Sequence, residues 1–408
     1  MPTRVRLRLP DLDLPLALAA IGLVVFGLLV VYSATSVPGA HQGLWTRQLM
    51  WAGVAFGAAW IAASIPYRAY DSLAWPLYGI SLLGLVLVLV IGTSTMGAKR
   101  WIHLGPLQFQ PSELAKIATV LLLARRLDHP KLDLRKLRYW FPPLLLTLIP
   151  FVLVAREPDL GTALSFPVVL ITLYFWAGMP AGNLLLGLSP VFNAALFMVT
   201  GSLGWFAGVL IVMLGVIRPK LTTLLVVLAI NGAVSYALPH VWNHLADYQK
   251  RRIETFVNPG NDPYGAGYQI IQSRIAIGSG GVLGKGYLKG SQKALSFLPM
   301  RHTDFIYSVV GEELGFLGAL TVVILYAVVV LRGFRLAMVA RNGFASLMAA
   351  GLVAALFYHI MVNMLMTVGW APVTGLPLPL LSYGGTALLV NGVQLGLLQN
   401  VALRRQEI

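Results

Sequence analysis

Apolar runs of about 18 residues or more recur from one end of this chain to the other, and a helix of that length crosses a hydrocarbon core. Hydrophobic residues make up 57% of the 408 residues and charged residues only 11%, which is far below the roughly 25% of an ordinary soluble domain. The sequence therefore predicts an integral membrane protein.

The runs predict an all-α, polytopic helical bundle that forms a single transmembrane domain over residues 1–408. We place its helices at 14–35, 47–65, 73–92, 112–127, 140–155, 161–178, 183–200, 203–217, 220–239, 305–331, 344–367 and 380–402. The runs 112–127 and 140–155 are shorter than a full span and need support from neighbouring helices. The first run is too long for a signal-peptide core, so we interpret it as a retained signal anchor.

Basic residues indicate the orientation of the bundle. If the helices alternate in direction, most of the basic clusters between runs fall on one side, which the positive-inside rule assigns to the cytoplasm together with both termini. The opposite side receives four polar loops: 93–111, 156–160, 240–304 and 368–384. The loop 240–304 is the largest extracytoplasmic loop, and its segment 267–277 has the apolar spacing of a helix lying in the interface.

Composition excludes some functions. A net charge of +15 is compatible with nucleic-acid binding, but the basic residues lie in short clusters between apolar runs, where they serve orientation. The absence of cysteine excludes disulfides and thiolate chemistry. The glycine-rich run 278–286 fails the P-loop pattern because Lys285 is followed by Gly286, and no histidine spacing matches a zinc site.

Asp304 is the sharpest candidate for chemistry. It lies at the start of an apolar helix, next to Arg301 and His302, and a partly desolvated carboxylate there could accept a proton from a substrate hydroxyl. A helix cap explains it equally well. Glu312 and Glu313 follow within the same helix, and structural pairing is the preferred role for at least one of them.

Glu113 and Lys116 lie in the first turn of another predicted helix. An ion pair one turn apart explains them well, since Glu113 also complements the positive helix end. However, a lysine this deep is costly unless it meets an anion, such as a lipid diphosphate.

Several segments together resemble the SEDS family of shape, elongation, division and sporulation proteins. The matching stretches, in chain order, are Phe109 to Lys116, Glu157 to Thr162, Asp262 to Ser273, Gly278 to Gly286, His302 to Ile306 with Glu312 to Gly315, and Gly375 to Gly385. The Pro-Leu-Pro before Ser382 resembles the elongation branch more than the division branch. The family has about ten helices, so the resemblance implies that 183–217 contains an inserted pair.

The resemblance implies a peptidoglycan glycosyltransferase that polymerises lipid II outside the cytoplasmic membrane, with undecaprenyl diphosphate as the leaving group. Asp304 matches the family's essential acid and is our candidate base. The expected substrate-binding set is Lys116, Glu113, Trp101, Arg100, Arg251, Arg252, Arg301, His302 and Lys285. A divalent cation, Mg²⁺ or Mn²⁺, could bridge the diphosphate to Asp304. Membrane lipids surround the chain, and a class B penicillin-binding protein is the expected partner.

Two further interpretations stay open at this point. A transporter that flips lipid-linked precursor also has many helices and buried charges, although no inverted repeat is evident. A scaffold that activates a cell-wall transpeptidase is compatible with the polymerase.

Overall fold

The computed structural model describes residues 12–36, 43–95, 98–104, 107–130, 132–200, 204–244, 250, 255–256, 266–291 and 300–405. The helices in this part are α1 (Leu14–Thr35), α2 (Leu44–Ser64), α3 (Tyr67–Ile91), α4 (Pro111–Leu127), α5 (Phe141–Arg156), α6 (Leu160–Ala163), α7 (Ser165–Trp176), α8 (Ala181–Thr200), α9 (Gly204–Ile217), α10 (Leu221–His244), α11 (Ala266–Ser279), α12 (Ile306–Val339), α13 (Gly343–Thr367) and α14 (Gly385–Leu403). A short 3-10 helix covers Leu137–Tyr139.

Each of the twelve predicted helices has a counterpart, so the helical bundle is confirmed. The run 161–178 is divided into α6 and α7, and α12 continues to Val339. Helix α11 confirms the helical spacing of 267–277; its Ser273 hydroxyl lies 2.6 Å from both the Ser308 hydroxyl and the Thr367 carbonyl. Helices α8 and α9 cover 183–217, and their status as an inserted pair stays a prediction.

Seven helical segments of the described part are long and apolar enough to cross a bilayer. They are Leu14–Thr35, Tyr67–Ile91, Leu137–Arg156, Leu221–His240, Ile306–Val339, Gly343–Thr367 and Gly385–Leu403. The shorter helix α4 is enclosed by its neighbours, because 14 of its 17 residues are buried. The chain is therefore a multi-pass membrane protein. Its short helix α4 is surrounded by neighbouring helices, as its length predicted.

One small sheet departs from the all-α prediction. Strands β1 (Thr93–Thr95), β2 (Ala98–Leu104) and β3 (Leu107–Phe109) form an antiparallel sheet in the order β1-β2-β3. We expected 93–111 only as a polar loop, since strands of three to seven residues are too short to show a clear alternation of apolar and polar residues. The sheet gives β2 a regular backbone beside the candidate site.

Close helix packing holds the bundle together. Helix α2 lies against α14, where a Cβ atom on Gly392 would come within 2.6 Å of the Ala55 carbonyl oxygen and one on Gly396 would overlap the Ala59 carbonyl. Small residues allow helix backbones to approach closely within a membrane, where van der Waals packing drives association. Helices α4 and α13 lie at the centre, and most residues of both are buried.

The polar loops that were predicted to share one side do meet at one end of the bundle, which we call the Asp304 end. Thr386 donates a hydrogen bond to the Gln108 carbonyl at 2.5 Å, and the Ser382 hydroxyl donates to the Thr303 carbonyl at 2.6 Å. At the opposite end, Arg332 forms an ion pair with Asp13 at 2.5 Å. The alternation of helix directions that the sequence implied is therefore present in the fold.

Candidate active site

Asp304 lies on a turn that precedes α12, and the backbone of this turn is fixed from outside. Three successive carbonyls each accept a hydrogen bond from a different donor: His302 from the Tyr383 backbone N–H at 2.9 Å, Thr303 from the Ser382 hydroxyl at 2.6 Å, and Asp304 from the Asn363 side-chain amide at 2.9 Å. The turn is therefore held by α13 and by the loop before α14.

Asp304 lies one residue before the cap position of α12, which Phe305 occupies. The carboxylate is partly exposed, and a Cβ atom built on Gly375 would lie 3.5 Å from its Oδ2. The carboxylate therefore faces the loop that follows α13, and the residue at the cap position of α12 is not Asp304.

Lys116 lies between two buried partners. Its ammonium donates to Glu113 Oε1 at 2.9 Å and lies 2.9 Å from His359 Nε2, and the three residues are only 3–5% exposed. Because an ammonium group only donates, His359 Nε2 must accept and the ring must be neutral with its proton on Nδ1. The predicted ion pair is confirmed, and His359 adds a partner that sequence analysis missed.

Helix α13 connects this cluster to Asp304. His359 and Asn363 are four residues apart and share one helix face. Asn363 is fully buried and its amide also donates to the Leu376 carbonyl at 2.7 Å. A polar pair at helical spacing within an apolar run is the signal that could have identified both residues.

Arg100 is held by the loop between α5 and α6. Its guanidinium donates to the Pro158 carbonyl and to the Glu157 carbonyl, and its Nε lies 3.9 Å from Asp159 Oδ2. Asp159 also accepts from Gln110 at 3.3 Å and caps α6 through the Thr162 backbone N–H. The contacts of Arg100 therefore connect β2 to this loop. The Arg100 side chain is 18% exposed.

Trp101 follows Arg100 in β2, where it pairs with Thr93 and is partly exposed. Its role in substrate binding stays a prediction.

Glu157 is a buried carboxyl that the sequence analysis did not single out. It is fully buried, and neither carboxyl oxygen has a hydrogen-bond partner within the described residues. Burial, and then the charge of Asp159, raise its pKa to about 8 although Arg100 opposes the rise. Glu157 therefore holds a proton at neutral pH.

Lys285 belongs to a separate cluster near Gly315, where the backbone of α12 departs from helical geometry and forms a break. Its ammonium lies 2.8 Å from Glu312 Oε1, while Glu313 accepts from the Ser33 hydroxyl at 2.6 Å and from the Gly290 backbone N–H at 3.3 Å. The structure thus supports structural pairing for both glutamates. The glycine-rich run is a loop that is held to α12 by backbone hydrogen bonds in both directions, and these bonds bring Lys285 next to Glu312.

Arg301 and His302 precede Asp304 in the same turn and are both largely buried. Arg301 Nε donates to the Ala34 carbonyl near the end of α1 at 2.9 Å. The His302 ring contacts Tyr383 edge to face, with centroids 5.9 Å apart. Both therefore help to position the turn. The predicted Arg251 and Arg252 lie outside the described residues.

Comparison with known proteins gives one consistent result. The family model described as cell cycle protein, FtsW/RodA/SpoVE, matches residues 13–202 and 192–407. The peptidoglycan glycosyltransferase MrdB of Escherichia coli K12 is 38% identical, with 97% of this chain and 94% of that protein covered. The probable peptidoglycan glycosyltransferase FtsW of Trichlorobacter lovleyi is 36% identical, with 97% of this chain and 94% of that protein covered.

Two solved structures are similar over nearly the whole chain. One belongs to a study of the structural coordination of polymerization and crosslinking by a peptidoglycan synthase complex; it has a TM-score of 0.75 and 34% identity, with 97% of this chain and 99% of that chain covered. The other is the rod shape determining protein RodA of Thermus thermophilus, with a TM-score of 0.66 and 29% identity, covering 97% and 98% of the two chains.

Proposed function

This chain belongs to the FtsW/RodA/SpoVE family, the SEDS family, and is a peptidoglycan glycosyltransferase, and we propose that it polymerises lipid II with Asp304 as general base. The observation that carries the proposal is the Asp304 turn, whose three carbonyls are fixed while Asp304 itself stays partly exposed. A general base needs this combination of a fixed position and access to substrate.

The reaction requires one proton transfer and one displacement. Asp304 takes the proton of the acceptor hydroxyl, whose oxygen forms a bond to the anomeric carbon of the donor sugar. The bond from that carbon to the diphosphate oxygen breaks, and its electron pair leaves on undecaprenyl diphosphate. Attack from the face opposite the leaving group inverts the anomeric centre.

Cations must stabilise the charge that develops on the leaving diphosphate. We keep Arg100, Arg251 and Arg252 as candidates for direct contact, because a guanidinium fork matches phosphate oxygens. Lys116 is 3% exposed, so we propose that it acts by raising the local positive potential, without direct contact.

The described residues contain no group of three or more His, Asp or Glu side chains that could hold a metal ion. We therefore propose that a divalent cation, Mg²⁺ or Mn²⁺, would be held jointly by Asp304 and diphosphate oxygens, where it would offset the negative charge of the leaving group.

We propose that the Asp304 end faces the outside of the cytoplasmic membrane and that both termini face the cytoplasm. Arg125, Arg332 and Arg404 support this orientation, because they belong to the end opposite Asp304, where the positive-inside rule places the cytoplasm. The chain lacks cysteine, so single Lys289→Cys and Asp133→Cys variants can be labelled in intact cells with an impermeant maleimide. Labelling of the Lys289 variant alone is expected, and labelling of the Asp133 variant alone would reverse the orientation.

We also propose a role in cell elongation, with a class B penicillin-binding protein as partner. The Pro-Leu-Pro before Ser382 supports the elongation branch, and the similar synthase complex couples polymerization to crosslinking. Relatives named for the division branch are almost as similar in sequence.

The test uses purified protein with its partner and labelled lipid II in detergent, where no membrane separates two compartments. Wild-type protein and an Asp133→Ala control, which alters a partly exposed carboxylate at the other end, should form glycan polymer. Asp304→Ala and Asp304→Asn should form none while keeping the wild-type melting temperature. A wild-type preparation that makes no polymer but moves lipid II across liposomes would establish the transporter instead.

A further inference from the structure

Large apolar side chains are exposed on the glycine-rich loop that follows α11. Val282, Leu283, Tyr287 and Leu288 are 63%, 76%, 39% and 43% exposed, and we call these four residues the apolar loop face. Clusters of exposed apolar side chains mark surfaces that meet a membrane or another protein. The position of this loop in the bundle decides between the two.

The backbone of this loop is held by the protein itself. From Gly284 to Ser291, each backbone N–H except that of Tyr287 donates a hydrogen bond to a protein acceptor. In the other direction, the Val282 carbonyl accepts from the Leu317 N–H at 3.2 Å, just beyond the break in α12. Irregular backbone is tolerated at membrane depth only where the protein satisfies its hydrogen bonds, and this segment meets that requirement.

Two buried carboxylates supply several of these acceptors. Glu313 accepts from the Leu288 N–H at 3.2 Å and from the Gly290 N–H at 3.3 Å, and Glu312 accepts from the Ser291 N–H at 2.8 Å. Both glutamates lie on α12 and are only 1–2% exposed. The loop is therefore fixed on α12, and its apolar side chains point away from the acceptors that hold it.

Helix α1 gives the depth of the loop in the bundle. The Tyr287 hydroxyl donates to the Leu29 carbonyl at 2.9 Å. At the other end of this helix, Asp13 forms an ion pair with Arg332. Leu29 lies 16 residues beyond Asp13, a rise of about 24 Å along the helix. Because a hydrocarbon core is about 30 Å thick, Tyr287 meets α1 within the thickness of the membrane.

Helix α12 gives the same depth independently. Phe316 lies 16 residues before Arg332, which again corresponds to about 24 Å from the ion pair. Phe316 and Leu317 are 60% and 49% exposed, as expected where a helix begins to face lipid. Since Val282 is hydrogen-bonded to Leu317, the loop lies at the outer edge of a lipid-facing surface.

Neighbouring residues place this level at the membrane interface. Arg301, in the turn of the candidate base, binds the Ala34 carbonyl, which lies five residues beyond Leu29 and so about 7.5 Å further from the membrane centre. Between these two levels, Tyr32 is 46% exposed and contacts Trp45 edge to face, with ring centroids 5.6 Å apart. Tyrosine and tryptophan are enriched where hydrocarbon meets water.

We infer that the apolar loop face inserts into the lipid leaflet at the Asp304 end, with its side chains at the edge of the hydrocarbon. The occupant of this surface is phospholipid, because the loop continues the lipid-facing surfaces of α1 and α12 to which it is bonded. Lys289 is exposed on the same loop, and its long side chain can keep its charge at the head-group level. This membrane contact goes beyond the proposed reaction and does not depend on it.

The test measures the depth of a spin label at Leu283 in the full-length protein. The chain lacks cysteine, so a single Leu283→Cys variant can carry a nitroxide in liposomes of phosphatidylethanolamine and phosphatidylglycerol. Dissolved oxygen concentrates in hydrocarbon, whereas a polar nickel chelate stays in water, so the ratio of their collision rates reports depth.

Two matched labels give the reference values. Phe316→Cys represents a lipid-facing position, and Lys136→Cys represents a water-facing position, because the Lys136 side chain is 60% exposed in the loop before α5. The oxygen-to-nickel ratio at Leu283 should match that at Phe316 and exceed that at Lys136 by about tenfold or more, since a polar chelate is excluded from hydrocarbon. All three labelled variants should keep the wild-type melting temperature in detergent, because each label replaces an exposed side chain.

Three results would overturn the inference. Nickel collisions at Leu283 as frequent as those at Lys136 would place the loop in water. Rare collisions with both reagents would show that protein covers this face. Loss of oxygen collisions only after a purified class B penicillin-binding protein is added would assign the face to that partner.

Discussion

Lys116 on α4 and His359 on α13, 243 positions apart in sequence, lie 2.9 Å apart between Nζ and Nε2. Glu113 accepts the same ammonium, so one buried cation is shared by a carboxylate and a neutral imidazole. Asn363, one turn beyond His359, binds the Asp304 carbonyl. The central pair of helices thereby connects the buried charges to the candidate base.

His359→Leu should destabilise the protein by about 1–3 kcal/mol, because it removes an acceptor from a buried ammonium. His359→Gln, which can still accept through its side-chain oxygen, should be close to wild type. Thermal unfolding in detergent together with the rate of polymer formation checks both variants. Equal losses for Leu and Gln would show that Lys116 does not need this acceptor.

Asn363→Ala should lower the polymerisation rate roughly tenfold or more, because the Asp304 and Leu376 carbonyls lose their shared donor and the base loses its exact position. The expected effect is on kcat, with KM for lipid II changed little. Asn342→Ala, which removes a helix cap at the other end of α13, is the control for stability. A change in KM alone would contradict a positioning role.

Glu157→Gln should stabilise the protein more at pH 8 than at pH 5. The pKa of Glu157 is raised to about 8 in the folded state, so that state binds the proton more tightly than the unfolded state does. Stability conferred by this group is therefore lost as pH rises from the unfolded pKa towards 8, by about 3 kcal/mol at pH 7. Melting temperatures of the wild-type and Glu157→Gln proteins between pH 5 and pH 8 test the direction of this effect. A difference in melting temperature that does not vary with pH would contradict the raised pKa of Glu157.

Gly315→Ala should destabilise the break in α12. Gly315 has φ 64°, and an added Cβ atom would overlap the Gly284 backbone nitrogen of the clamped loop. Such a residue costs on the order of 1–3 kcal/mol when replaced. Gly53→Ala is the matched control, because that helical position has open space, and it should be neutral or slightly stabilising. Similar melting temperatures for both variants would show that the loop is not clamped there.

Local sequence determined much of this protein. The twelve helices could be predicted because a backbone in lipid must satisfy its hydrogen bonds within the segment, so an apolar run alone specifies a helix. The Glu113–Lys116 pair could be predicted for a similar reason, since residues three apart in a helix are neighbours whatever surrounds them. The sequence also predicted that the four polar loops lie at the same end of the bundle, because successive membrane helices alternate in direction.

Only the tertiary structure decided which distant polar groups meet. Nothing in the local sequence brings His359 to Lys116 or Asn363 to Asp304, because these contacts depend on how helices far apart in the chain pack against each other. The roles of Asp304 and Lys285 were open for the same reason: spacing identifies a charged residue at a helix end but not the partner across the bundle. Close packing of rigid helices supplies that partner, and with it the geometry of the site.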